Sequence, residues 1–259
     1  MKLTGLRMDL NCDMGEFPEA VRGGTQEALM RSITSVNIAC GGHAGDEGTM
    51  RATVEQAMRA GVAIGAHPGY ADRANFGRLE LNLSPTAVAD SVFEQVSGLE
   101  KIAAECGARV AHVKPHGALY NQAARNGEFA AAIALGVARW SKSVVMVGLA
   151  NSLMLEVFRE AGFEAVAEAF ADRRYEADGS LRSRKFADAL IGDPLAAGAQ
   201  ALSIAQRGKV IAVNGAEIAV EAQTICIHSD SPGAQEVAAA VARTLREAGI
   251  SIRGFSRLQ

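Results

Sequence analysis

Residues 35–67 read SVNIACGGHAGDEGTMRATVEQAMRAGVAIGAH, and this stretch decides the fold. Two short apolar segments, SVNIAC at 35–40 and VAIGAH at 62–67, flank an Ala-rich amphipathic segment at 48–60 that ends at Gly61. Apolar runs of this length are typical of buried strands, and the segment between them is long enough for a helix. A strand, a helix and a second strand in this order predict a β-α-β unit with parallel strands.

The same alternation continues on both sides of this unit. It predicts further strands at 7–12, 109–114, 143–148, 163–169 and 223–228, and further helices at 25–33, 84–106, 117–139, 152–161, 193–207 and 231–249. About seven strand–helix units predict a parallel sheet covered by helices. A closed barrel and a doubly wound open sheet both satisfy this order.

Two features complete the predicted chain. The turn dipeptide Asn214-Gly215 predicts a hairpin of strands at 210–213 and 217–221. A charged loop is predicted at 172–190. Because no linker and no abrupt change in composition divides the 259 residues, we predict one domain spanning 1–259.

Most predicted strands have one apolar face and one polar face, because side chains alternate across a strand. The polar faces carry Asp9, Asn11 and Asp13; Asn37; His112 and Lys114; Glu164 and Glu168; and Thr224, Cys226 and His228. The apolar faces must pack against helices, so the polar faces meet each other, which favours a barrel. Burying these groups costs several kcal/mol unless they are paired, hydrated or bound to a ligand. The pattern predicts a polar site on the barrel axis, with a satisfied internal hydrogen-bond network as the alternative.

Polar motifs collect where the predicted strands end. They are DMGE at 13–16, CGGHAGDEG at 40–48, HPGYADRANFGR at 67–78, KPHGALYN at 114–121, ADRRY at 171–175 and HSDSPG at 228–233. All five histidines of the chain lie in or beside these strand ends. In parallel β/α folds the loops after the strands carry the chemistry, so this edge is the predicted site.

Lys114 ends the fourth predicted strand on its polar face. A cation in this position could hold a phosphate or a developing oxyanion. An internal ion pair with Asp13 or Glu168 is an equally compatible role. The charged loop contains five further cations: Arg173, Arg174, Arg182, Arg184 and Lys185. They predict a solvated flexible loop or, as a more specific alternative, a lid that closes over an anionic substrate.

Asp13, His67 and His116 follow three different predicted strands, and one carboxylate with two imidazoles suits a divalent metal. His112 and His116, spaced H-x₃-H, are a second candidate pair. Without a metal the same histidines would act as hydrogen-bonding or acid–base groups. The chain has no closely spaced metal-binding signature, which favours the metal-free interpretation, and a metal at Asp13, His67 and His116 stays open as the alternative.

Composition excludes several classes of function. The 26 Lys and Arg against 29 Asp and Glu leave a net charge of −3, which provides no basic stripe for nucleic acid and no polybasic membrane anchor. The four cysteines are widely spaced without a C-x-x-C pair, which favours reduced thiols and a cytoplasmic protein. The start, MKLTGLRMDL, lacks the apolar region of a signal peptide.

The phosphate-binding motif GxxxxGK[ST] does not occur in the sequence. ATP phosphates would therefore need another binding loop, for which the turn at Gly41-Gly42 is a candidate.

Five motifs resemble those of the LamB/YcsF family. They are DLNCDMGE at 9–16, NIACGGHAGDEGTM at 37–50, GAHPGYADRANFGR at 65–78, HVKPHGALYN at 112–121 and TICIHSD at 224–230. The likeness extends from about residue 8 to residue 250 and departs at Ser229, where the family commonly has glycine. It implies a distorted seven-stranded β/α (TIM-like) barrel similar to that of polysaccharide deacetylases.

The resemblance also implies an activity: ATP-dependent opening of 5-oxo-L-proline to L-glutamate in a complex with two other subunits, B and C. On this basis catalytic roles fall to Asp13, His67, Lys114 and His116. Substrate or nucleotide contacts fall to Asn11, Glu16, Asn37, Gly41, Gly42, His43, Asp46, Tyr70, Tyr120, Asn121, Glu168, Arg173, His228 and Asp230. Mg²⁺ is expected on Asp13 or Asp46. Two alternatives remain: a metal-dependent amide or sugar N-deacetylase without ATP, and a non-catalytic subunit that binds 5-oxoproline.

Overall fold

The computed structural model describes residues 5–231 and 233–254. The strands in this part of the chain are β1 (Arg7–Met14), β2 (Ser35–Ala39), β3 (Ala63–His67), β4 (His112–Val113), β5 (Val145–Leu149), β6 (Glu164–Phe170), β7 (Lys209–Ile211), β8 (Glu217–Ala219), β9 (Thr224–Cys226) and β10 (Ser251–Ile252). The helices are α1 (Pro18–Arg22), α2 (Thr25–Met30), α3 (Glu47–Ala60), α4 (Pro85–Glu105), α5 (Gly117–Arg125), α6 (Gly127–Trp140), α7 (Leu153–Glu160), α8 (Pro194–Arg207) and α9 (Ala234–Glu247). No described helix combines the length and the apolar character that a membrane crossing requires.

Seven parallel strands close into a ring. The order is β1, β2, β3, β4, β5, β6 and β9, and β9 pairs back onto β1 from Asp9↔Thr224 to Asn11↔Cys226. β10 pairs in parallel with the first two residues of β1, Arg7 and Met8. The ring confirms the predicted seven-stranded barrel and excludes the open sheet.

Several predicted boundaries were wrong. The strand predicted at 109–114 is reduced to β4, and the helix predicted at 117–139 is two helices. Asn126 separates α5 from α6 because its backbone is extended and its side chain accepts from the Glu128 N–H at 2.9 Å, which caps the second helix. The hairpin at β7 and β8 is confirmed, with antiparallel pairing. The predicted start of the last helix includes Pro232, which lies outside the described residues; α9 begins at Ala234.

The two faces of the barrel strands differ as predicted. The outward face is apolar and fully buried beneath the helices, as at Leu10, Ile38 and Ile225. The inward face holds a column of buried polar groups: Asp9, Asn11, Asp13, Ser35, Asn37, His112, Lys114, Glu168 and Thr224. Helices around the ring therefore supply the hydrophobic core, and the axis is left for charged and hydrogen-bonding side chains.

Asp9 closes the amino-terminal end of this column. Its Oδ1 accepts from Thr34 Oγ1 at 2.7 Å and from Ser35 Oγ at 2.6 Å, and its Oδ2 accepts from Thr224 Oγ1. Burial outweighs these donors and raises the pKa of Asp9 to about 6. The folded chain therefore binds this proton more tightly than the unfolded chain does.

We expect this proton to make folding stability depend on pH. Because the folded pKa is raised, the stabilisation is complete below about pH 4 and is lost as the pH rises through 6. The free energy of unfolding of the wild type, minus that of Asp9→Asn, should fall by about 2–3 kcal/mol between pH 4 and pH 7. Urea denaturation of both proteins at four pH values measures this difference, in which other titrating groups cancel. A difference that is constant, or that rises with pH, contradicts the expectation.

Candidate functional site

Lys114 lies at the carboxyl end of the barrel axis, directly after β4. Its Nζ is 3.0 Å from Asp13 Oδ1, 2.9 Å from Glu168 Oε1 and 3.1 Å from Cys226 Sγ. Burial lowers the pKa of an ammonium, but the carboxylates outweigh burial and hold the pKa of Lys114 well above its usual range. The internal ion pair therefore exists with both acids at once, and it keeps a positive charge at the base of the site.

A layer of amides supports this ion pair from below. Asn37 Nδ2 donates to Asn11 Oδ1 at 2.8 Å and to Asp13 Oδ1 at 2.7 Å. Asn11 Nδ2 donates to Glu168 Oε1 at 2.9 Å, and His112 Nε2 is 2.9 Å from Asn37 Oδ1. Both asparagines are buried inside the barrel, behind Lys114 and away from the cavity wall. They position the charged groups, whereas the sequence predicted that they contact the substrate.

Asp13 connects the lysine to two imidazoles. His67 Nε2 is 3.3 Å from Asp13 Oδ2 and 3.0 Å from His116 Nδ1. His67 Nδ1 donates to the Lys114 carbonyl at 2.7 Å, and His116 Nε2 donates to the Phe76 carbonyl at 2.9 Å. Burial raises the pKa of Asp13, but His67 and Lys114 outweigh it and hold that pKa well below its usual range. Asp13 is therefore a carboxylate, and both histidines are held by protein groups at both nitrogens.

Glu16 and His43 lie beside this pair. Glu16 Oε1 is 3.1 Å from His43 Nε2 and 3.5 Å from His116 Nδ1. Burial and the neighbouring Asp13 raise the pKa of Glu16 to about 7, and burial lowers the pKa of His43 to about 2. His43 is therefore a neutral imidazole, while Glu16 exchanges its proton near neutral pH.

Glu16, His43, His67 and His116 place one donor atom each within 4.8 Å of the others. A carboxylate and imidazoles are donors that zinc accepts in a tetrahedral site. The rings of His43 and His116, however, are stacked, with centroids 3.5 Å apart and planes 5° apart. An imidazole binds a metal in its ring plane, and one ion cannot lie in two stacked planes. In this arrangement the four residues do not form a four-ligand centre.

The predicted metal set of Asp13, His67 and His116 stays a prediction. The structure groups Asp13 with a different pair, since its carboxylate lies within 4.8 Å of donor atoms of Cys226 and His228. The second candidate pair, His112 and His116, does not share a site, because His112 lies deeper in the barrel and contacts Asn37.

Mg²⁺ needs oxygen ligands in near-octahedral geometry. The oxygens of Asp13 already face Lys114 and His67 at hydrogen-bond distance. Asp46, the other predicted ligand, caps α3 by accepting from the Thr49 N–H at 2.8 Å and lies outside the cavity wall. These two residues do not form a ready-made magnesium cage.

A cavity of about 880 Å³ opens above Lys114, and this volume lies in the range of small-molecule sites. Its floor and inner wall include Asp13, Glu16, His67, Lys114, His116, Tyr120 and Phe170. Five cations outnumber three carboxylates at its rim: Arg78, Arg125, Arg173, Arg184 and Lys185 against Glu80, Asp178 and Asp230. Among the other predicted contacts, Asn121, His228 and Asp230 also line it. The excess of positive charge at the rim suits a small anionic ligand.

Asp230 holds two of the rim cations. Its Oδ2 is 2.5 Å from Arg78 Nη2 and 2.6 Å from Arg184 Nη1. These residues come from the loop after β3, the charged loop after β6 and the segment after β9. Two guanidinium groups on one carboxylate leave an excess of positive charge at the entrance.

The remaining predicted contacts are hydrogen-bonded to, or packed against, other protein groups. Tyr120 donates to Glu168 Oε2 at 2.8 Å, beside Lys114. The Tyr70 hydroxyl donates to Gln122, away from the cavity wall. Gly41 and Gly42 also lie outside that wall. A Cβ on Gly42 would be 2.7 Å from the Gly69 carbonyl oxygen, so this turn is packed against protein.

Asp172 is a residue that sequence reasoning missed. It follows β6 and is buried, and its Oδ1 and Oδ2 are 3.0 and 3.1 Å from His228 Nδ1. Its Oδ2 also accepts from the His228 backbone N–H at 2.7 Å. Burial raises the pKa of Asp172, but His228 outweighs it and holds that pKa below its usual range. The motif ADRRY contains this residue, but the arginines beside it are the more conspicuous feature of that motif.

Fold and site together define a parallel β/α-barrel protein whose small-molecule cavity opens at the carboxyl ends of the strands. The family model described as LamB/YcsF family matches residues 8–259. The chain belongs to the LamB/YcsF family, as its motifs predicted.

Relatives match over nearly their whole length. The A subunit of 5-oxoprolinase from Chloroflexus aggregans is 49% identical over 248 residues, which cover 96% of this chain and 98% of that protein. The corresponding 5-oxoprolinase polypeptide of Heliobacterium modesticaldum is 45% identical over 253 residues, 97% of this chain and 100% of that protein. The crystal structure of a lactam utilization protein from Thermus thermophilus superposes with a TM-score of 0.89 at 41% identity, covering 96% of this chain and 100% of that chain. The barrel is thus the fold of a solved relative.

Proposed function

We propose that this chain is one subunit of an ATP-dependent 5-oxoprolinase, which converts 5-oxo-L-proline and ATP to L-glutamate, ADP and phosphate. The observation that carries the proposal is the buried ammonium of Lys114 at the floor of a cavity whose rim is cationic. The names of the full-length relatives support it.

The chemistry explains why such a site needs positive charge. An unstrained five-membered lactam is a poor electrophile. Transfer of the γ-phosphoryl group forms a bond from the carbonyl oxygen to phosphorus and releases ADP. Water then adds to the carbonyl carbon, and the C–N bond breaks with its electron pair on nitrogen, which takes a proton. A second water hydrolyses the resulting acyl phosphate to glutamate and phosphate. Negative charge passes through the carbonyl oxygen and the phosphoryl group, where a fixed cation stabilises it.

Each group of the site has a place in this scheme. Asp13 and Glu168 keep Lys114 protonated, and the lactam carbonyl or a phosphoryl oxygen replaces Cys226 Sγ, the weakest acceptor around Nζ. The rim arginines, Arg78 and Arg184 among them, bind the substrate carboxylate and the phosphates. ATP enters as its magnesium complex and so brings Mg²⁺ as part of the substrate. Two further subunits, B and C, complete the enzyme.

Reconstitution tests the proposal. Glutamate and phosphate release from 5-oxo-L-proline and ATP is measured with this chain alone, with its candidate partner subunits alone, and with all three together. We expect coupled release, one phosphate per glutamate, only from the complete mixture. Full turnover by the lone chain would contradict the need for partners, and ATP-independent release of glutamate would contradict the proposed reaction.

A further inference from the structure

Three histidines line the cavity, and two of them have no nitrogen available to a ligand. Both nitrogens of His67 and both nitrogens of His116 lie within about hydrogen-bond distance of protein groups. A group that moves a proton at the substrate needs a nitrogen directed into free space. The scheme above requires such a group, because the attacking water must lose a proton and the departing nitrogen must gain one.

His228 meets this requirement. Its Nδ1 faces both oxygens of Asp172, so Nδ1–H donates to that carboxylate, and in the neutral ring this tautomer leaves the lone pair on Nε2. Within residues 5–231 and 233–254 no protein group hydrogen-bonds to Nε2. The side chain is 12% exposed and lines the cavity.

The ring of His228 is held close to the buried ammonium. It stacks on Phe170, with centroids 5.6 Å apart and planes 17° apart. A ring nitrogen lies within 4.8 Å of Cys226 Sγ and of an Asp13 carboxylate oxygen, both of which contact Lys114 Nζ. The base, His228, and the cation for the carbonyl oxygen, Lys114, therefore border the same small volume.

We propose that His228 is the proton-transfer residue of this cavity and that Asp172 is the residue that positions it. This inference deepens the proposed function and rests on it. As the oxygen of water bonds to the phosphorylated carbonyl carbon, Nε2 takes one proton from that water. As the C–N bond breaks, Nε2–H returns the proton to the lactam nitrogen, which keeps the electron pair of that bond. The hydroxyl group that water left on the carbon loses its proton as its oxygen becomes the carbonyl of the acyl phosphate, and the released amine takes up that proton as an ammonium. His228 ends neutral, so the proton balance closes.

The test uses the reconstituted three-subunit complex. We expect His228→Ala to lower kcat by about 10²-fold or more, the usual contribution of a positioned acid–base group, with KM within about threefold of the wild-type value. Added imidazole should restore part of the activity in a saturable manner, because it fills the space that the variant opens. Asp172→Asn should lower kcat in the same direction. Asp90→Asn, on the surface of α4, serves as the matched control.

A second measurement, made on the wild-type chain, tests the proposal even if the His228→Ala variant fails to fold. Diethyl pyrocarbonate acylates an imidazole nitrogen with a free lone pair, so in the wild-type chain we expect mass spectrometry to find His228 modified before His67 and His116. An unreactive His228 overturns the proposal. So does a folded His228→Ala complex with wild-type kcat, or one that loses kcat without rescue by imidazole. A wild-type complex that makes no glutamate overturns the proposed function and this role together, which distinguishes it from failure of the role alone.

Discussion

Replacing Lys114 by methionine is expected to lower turnover of the complex by about 10²–10³-fold or more and to destabilise the chain by about 3–5 kcal/mol. The loss of turnover follows because the cation that faces the carbonyl and phosphoryl oxygens is removed. The loss of stability follows because Asp13 and Glu168 both contact Nζ inside the barrel. Without the ammonium, two buried carboxylates lose the cation that they share.

A double variant separates these two effects. Lys114→Met with Glu168→Gln removes one positive and one negative charge, so the buried charge balance is restored. We expect it to regain at least half of the lost free energy of unfolding and none of the lost turnover. Urea denaturation and the coupled glutamate assay measure the two quantities. Turnover that returns with stability would show that Lys114 acts only as part of the frame.

The second large effect is expected at Gly65, in the middle of β3. This residue faces the axis, and a Cβ placed on it would lie 2.0 Å from His112 Nε2. The imidazole cannot move aside freely, because it is fully buried and its Nε2 is 2.9 Å from Asn37 Oδ1. Gly65→Ala should therefore destabilise the chain by about 3 kcal/mol or more, at the upper end of overpacking effects.

Two further variants test the cause. Gly98→Ala changes a glycine of α4 with no atom near the added methyl group, and it should stabilise the chain by up to about 1 kcal/mol. In Gly65→Ala/His112→Ala the overlapping ring is removed, so the double variant should be more stable than the sum of the single effects by about 1–3 kcal/mol. Additive effects in thermal and urea denaturation would contradict the steric explanation.

The alternation of apolar and polar residues along the strands is sufficient to predict most of the fold. Asp9, Asn11 and Asp13 share one face of β1, and this pattern by itself places the polar groups on the axis. The pattern does not predict which distant segments pair with one another. β10 has two residues and exists because the edge of β1 is free there. β4 is equally short, and only its neighbours define it.

The site is predictable in part for the same reason. Residues at strand ends must lie near one another in a barrel, so position alone predicts that Asp13, His67 and Lys114 come together, as they do in the structure. Depth along the axis and hydrogen-bond partners depend on the packed structure. Asn37 therefore proves to be a support behind the site. Asp172 escapes prediction, because its importance comes from its contact with His228, 56 residues further along the chain.

The position of bound 5-oxo-L-proline in a crystal of this chain tests the central claim most directly. We predict that the lactam lies in the cavity with its carbonyl oxygen about 2.7–3.2 Å from Lys114 Nζ, in place of Cys226 Sγ, and with His228 Nε2 on the side of the carbonyl carbon. A lactam bound elsewhere on the barrel, or one whose carbonyl points away from Lys114, would contradict the assignment of the buried ammonium as the group that activates the substrate.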